Sequence, residues 1–147
     1  MDIQLTKNFN ISEFTLSDKA KELRIQNVPS QSDIVNIRRL VENVLQPLRD
    51  KFGPIKITSG YRCKTLNKAV GGSKNSHHMV GMAADIKMDN MKEVFIYIAK
   101  NLQFTQLIWE YGTINEPEWI HVSYDKNNLK KEILRKVKDS PYSKFIV

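Results

Sequence analysis

The sequence predicts an α+β fold: a small, mainly antiparallel sheet packed against helices. Three observations predict it. Apolar residues recur at helical spacing in two segments, Ile34, Ile37, Leu40, Val41, Val44, Leu45, Leu48 and then Val94, Phe95, Ile98, Leu102. Short runs rich in β-branched and aromatic residues at 55–59, 106–110 and 119–124, together with the segment 82–88, read as strands. Finally, helices come first and strands later, with one long helix between them, rather than in regular alternation.

Each element has a local cause. The segment 8–14 is expected to be irregular, anchored by Phe9, Ile11 and Phe14. Ser17 can accept a hydrogen bond from a first-turn amide and so cap a short helix from Asp18. Ser30 and Asp33 stand at capping-box spacing and open the long helix. Pro47 lacks an amide hydrogen, so it should kink that helix or mark its final turn, and Gly53-Pro54 ends it. Gly60-Tyr61-Arg62 leaves the first strand, and Lys64 onward suits a short helix. The paired glycines Gly71-Gly72 and small polar residues make 70–75 a loop. Asn90 is expected to cap the second long helix, and the basic stretch 128–138 is read as an amphipathic helix.

A chain of 147 residues suffices for one hydrophobic core, so a single domain over 1–147 is expected, with its core at 8–125 and a basic helical tail at 126–147. Cys63 stands alone, which excludes an internal disulfide and any Cys-rich zinc site. The first residues lack the apolar stretch of a signal peptide, and no window approaches the roughly 18 apolar residues of a membrane span, so cytoplasmic synthesis is expected. The net charge of +7 favours anionic polymers but does not choose among nucleic acid, membrane surface and cell wall. A nucleic-acid partner would rest on that charge alone, and none is expected.

The chain has three histidines, all in Ser76-His77-His78-Met79-Val80-Gly81-Met82-Ala83-Ala84-Asp85 and Glu118-Trp119-Ile120-His121. His78, Asp85 and His121 would supply two imidazoles and a carboxylate, a ligand set that leaves one position open in a catalytic zinc site. His78 and Asp85 are an odd number of residues apart, so they share an ion only if the backbone turns between them, and Gly81 permits that. His77 competes with His78, and spacing does not decide between them. His121 alternates with Ile120 and Val122, so it can face a cleft while they enter the core. Glu118 is the candidate to move the proton of an attacking water, with Glu116 and Glu110 as rivals. Arg62 follows a strand, where a guanidinium can hold a carbonyl or carboxylate by paired hydrogen bonds. A tyrosine such as Tyr61 ordinarily packs in a core, and nothing around Cys63 argues for an activated thiol.

The pattern Ser76-x-His78-x-x-Gly81-x-Ala83-x-Asp85, then Glu118-x-x-His121, resembles the signature of the zinc D-alanyl-D-alanine carboxypeptidases and L-alanyl-D-glutamate endopeptidases. These are peptidoglycan peptidases with a hedgehog-like fold. Ser12-Glu13-Phe14, Pro47-Leu48-Arg49, Ser59-Gly60-Tyr61-Arg62 and Asn67-Lys68-Ala69-Val70-Gly71-Gly72 resemble the branch found in phages and prophages. The resemblance covers about residues 8–125. It implies that His78, Asp85 and His121 bind Zn2+, selecting His78 over His77. It implies that Glu118 is general base and acid, and that Arg62 helps hold substrate and stabilise the oxyanion. Ser76 and Tyr61 join Arg62 as candidate substrate-binding residues. The implied partner is bacterial peptidoglycan, met by a monomer released by a holin or carried in a virion. A second reading keeps the same fold as a non-catalytic wall-binding or virion structural module.

Overall fold

Residues 2–147 are described in a computed structural model, and their elements form two sheets and six α-helices. The first sheet is a hairpin of β1 (Gln4–Thr6) and β2 (Phe9–Asn10), followed by the single turn α1 (Ser12–Thr15). This opening segment is therefore more regular than its composition predicts, and Phe9, Ile11 and Phe14 are buried, as anchors should be. In α2 (Asp18–Leu23) the Ser17 hydroxyl accepts the Ala20 amide at 3.1 Å, the expected cap. The long helix opens at α3 (Gln31–Leu40) with a complete capping box between Ser30 and Asp33.

That helix does not stop at Pro47. It widens into a π-helical stretch, Val41–Leu45, and continues as α4 (Gln46–Phe52). Proline cannot donate to the carbonyl four residues back and its ring crowds that carbonyl. The wider turn just upstream absorbs the mismatch while Leu40, Val41, Val44, Leu45 and Leu48 all stay buried.

The chain then runs through β3 (Lys56–Ser59), α5 (Lys64–Ala69), a 3-10 turn at His77–Val80, β4 (Ala83–Lys87), α6 (Met91–Asn101), β5 (Gln106–Glu110) and β6 (Trp119–Ser123). Asn90 sits before α6 in the left-handed conformation, but its side chain makes no capping bond. The tail departs from expectation: in place of an amphipathic helix it forms β7 (Glu132–Lys136) and β8 (Ser143–Lys144). The six-stranded sheet has the order β3-β4-β6-β5-β7-β8, antiparallel throughout except where β7 pairs with β5 in parallel. The free edge of β5 supplies what helical spacing hid, a ladder for Ile133 and Leu134 opposite Leu107 and Ile108.

Alternation divides this sheet into two faces. Ala84 and Ile86 of β4, Leu107 and Trp109 of β5, and Ile120 and Val122 of β6 enter the core with α6 residues Val94, Phe95 and Ile98. Each such large apolar side chain contributes about 1.5–3 kcal/mol on burial. Phe145, from the tail, packs on Trp109 and Phe95 with ring centroids 5.5 and 5.8 Å away. The opposite face presents Asp85, His121, Ile108 and Glu110 to a cleft. No helix among the described residues is long and apolar enough to cross a membrane.

Candidate metal centre

The sheet register brings two of the three expected ligands together. Asp85 on β4 pairs directly with His121 on β6, and His121 Nδ1 lies 2.9 Å from Asp85 Oδ1. The third comes from the 3-10 turn. After it Gly81, at φ +77°, reverses the backbone into β4, and His78 Nε2 arrives 3.4 Å from Asp85 Oδ1. A Cβ on Gly81 would sit 2.5 Å from the Asp33 carbonyl oxygen, so this turn needs both the left-handed conformation and the missing side chain. Ser76 caps the turn, its hydroxyl accepting the His78 amide at 3.2 Å.

The geometry fits a metal ion. One ligand atom from each of His78, Asp85 and His121 lies within 4.8 Å of the others. Bonds of about 2.0 Å at tetrahedral angles around zinc separate ligand atoms by roughly 3.3 Å, close to the two distances seen. His78 Nδ1 donates to the Gly60 carbonyl at 2.7 Å, which fixes the tautomer and turns the Nε2 lone pair toward Asp85. The proton between His121 and Asp85 is one that a divalent ion displaces, because such ligands bind deprotonated.

The electrostatics prepare the same state. Burial pushes His78 below the ordinary histidine range despite the neighbouring Asp85, so the ring is neutral and free to ligate. Burial pushes the Asp85 carboxyl up, but the hydrogen bond from His121 outweighs it and holds the group well below the usual carboxylate range. His77 is depressed by burial and by the nearby His121, and it lines the cleft without joining the three-ligand group.

The cleft has a volume of about 620 Å3 and includes Arg62, Ser76, Glu110, Trp119 and Tyr142 in its walls. The Arg62 amide donates to the His78 carbonyl at 3.0 Å, tying the arginine to the ligand turn. Its Nε is buried without a hydrogen-bond partner, and burial lowers its pKa against the opposing pull of Asp85. Such an orphaned donor beside a metal site suits an incoming acceptor. Tyr61 is packed in the core and lines a second hollow, shared with Arg62 and Asp85, rather than the main cleft. Glu118 is exposed and is not among the residues lining the cleft. Nothing in the sequence marks Asn27. Its amide donates to the Tyr61 carbonyl and its oxygen accepts the Cys63 amide, both at 2.8 Å, pinning the segment that carries Arg62.

A model of the Peptidase M15 family matches residues 7–123, which include all three ligand candidates. The chain belongs to the Peptidase M15 family. It is also similar to the zinc D-Ala-D-Ala carboxypeptidase of Streptomyces albus G, with 37% identity over 67 residues. That stretch is 44% of this chain and 26% of the relative, so the chain spans only about a quarter of the relative's length. In this M15 chain the family match ends at Ser123, so β7, β8 and the cleft residue Tyr142 lie beyond it.

Proposed function

We propose that this M15 chain is a zinc metallopeptidase that hydrolyses peptide bonds in the stem peptides of bacterial peptidoglycan. The observation that carries the reading is the meeting of His78 Nε2, Asp85 Oδ1 and His121 Nδ1 at the wall of a cleft large enough for a short peptide. The similarity to a zinc D-Ala-D-Ala carboxypeptidase supports both metal and substrate class. The net charge of +7 suits an anionic wall polymer.

Zinc held by the three residues would polarise a carbonyl and acidify water. The protein's own groups do the rest. Arg62, with its unsatisfied Nε, offers hydrogen bonds to the scissile carbonyl oxygen or to a terminal carboxylate of the substrate. A carboxylate must take a proton from the attacking water and return it to the departing amine. Ser76 orients His78 through its amide and stands where a peptide would pass. The family resemblance gives the carboxylate role to Glu118; the cleft wall offers Glu110.

Purified protein analysed for bound zinc, then incubated with cell walls, tests the reading. Stoichiometric zinc with release of free amines is expected, and mass spectrometry of the muropeptides identifies the bond. Protein that binds walls but leaves every peptide bond intact with zinc supplied would show a binding module instead.

A further inference from the structure

We propose that Glu110, not Glu118, is the carboxylate that carries the proton in this site, an assignment that rests on the peptidase reading above. Strand parity is the first reason. His121 pairs with Ile108 across β5 and β6, so Glu110 is the diagonal neighbour of His121 on the same face, about 7–8 Å away along the backbone and within reach of a long side chain. Glu118 stands three residues before His121, and its amide already donates to the Glu110 carbonyl at 2.9 Å as the ladder begins. Glu118 lies in a bend just outside β6, exposed and absent from the cleft wall.

Burial is the second reason. Glu110 is 6% exposed, and among the described residues it and Asp85 are the carboxylates that line the cleft. Glu110 forms no ion pair among the described residues. The Tyr142 hydroxyl and Lys136, which pairs with Glu110 across β5 and β7, are its neighbours, but neither closes an ion pair, and buried carboxylates of this kind concentrate where proton transfer is needed. Tyr142, carried in by the tail, lines the cleft beside it.

In the reaction, the water oxygen bonds to the scissile carbonyl carbon as Glu110 takes one water proton. The C–N bond then breaks, and the same proton leaves on the amine. Glu110 ends as it began, ionised, and the products are a carboxylic acid, which keeps the second water proton until it passes to the amine or solvent, and an amine.

Zinc-loaded wild type, Glu110→Gln and Glu118→Gln are compared on purified muropeptides, with zinc content and Tm measured on each. Glu110→Gln should keep its zinc and its fold and lose about 100-fold or more in kcat/KM, the larger loss of the two. Glu110→Asp should recover part of that loss. The visible spectrum of the Co2+-loaded protein gives a readout independent of turnover, and its pH dependence should move in Glu110→Gln and hold in Glu118→Gln. An equal or larger loss in Glu118→Gln overturns the assignment, as does a Glu110→Gln that merely sheds its metal or unfolds. A zinc-loaded wild type that cleaves nothing sinks the peptidase reading first and takes this assignment with it.

Discussion

Asp85 and His121 stand directly opposite each other on neighbouring antiparallel strands, with 2.9 Å between carboxylate and imidazole. Two of the three candidate ligands are thus held on paired strands of the sheet. The third, His78, depends on a turn and on the Gly60 carbonyl beneath it.

The Gly60 carbonyl orients His78, and a Cβ at position 60 would sit 2.6 Å from the Phe14 Cα. Gly60→Ala must push this backbone aside and weaken the bond to Nδ1. Zinc affinity, measured by competition with a chromophoric chelator, should fall by about 10–100-fold.

Gly81→Ala meets two penalties, a left-handed φ and contact with the Asp33 carbonyl. A loss of about 2 kcal/mol or more is expected in urea denaturation of the metal-free protein. A variant as stable as wild type would mean that the turn between His78 and Asp85 is not held as described.

Chelation should abolish wall-peptide cleavage and leave the far-UV circular dichroism unchanged. The core of Leu40, Val44, Phe95, Ile98 and Val122 lies on the other face of the sheet and needs no ion to form. Tm should still fall in chelator, since an ion that binds only the folded state stabilises it by mass action. Added Zn2+ should restore both.

Phe145→Ala removes an aromatic contact with Trp109 and Phe95 from a side chain that is only partly buried. About 2 kcal/mol of stability should go with it, read as a lower denaturation midpoint at unchanged slope. A helical tail, as its composition predicts, would make this substitution nearly silent.

Much of the site was legible because its chemistry needs rare residues. Three histidines in the chain, Asp85 four residues after Gly81 and a β-branched run around His121 leave few ways to build a three-ligand site. Capping at Ser17 and Ser30 was equally readable, since a cap is a local bond between near neighbours. The tail was not, because β7 owes its extended form to pairing with β5, a partner distant in the chain whose influence no local spacing contains. The cleft carboxylate was obscured for a related reason. Glu110 and His121 become neighbours only through the β5–β6 register, whereas Glu118 is conspicuous by its nearness along the chain.

The two tryptophans occupy opposite faces of the sheet, Trp119 in the cleft two residues from His121 and Trp109 in the apolar core. Their fluorescence therefore reports separate events. A paramagnetic ion held by His78, Asp85 and His121 should quench the first more than the second, while loss of the fold should shift the second to longer wavelength. Occupancy and integrity can be followed in one cuvette with no added label.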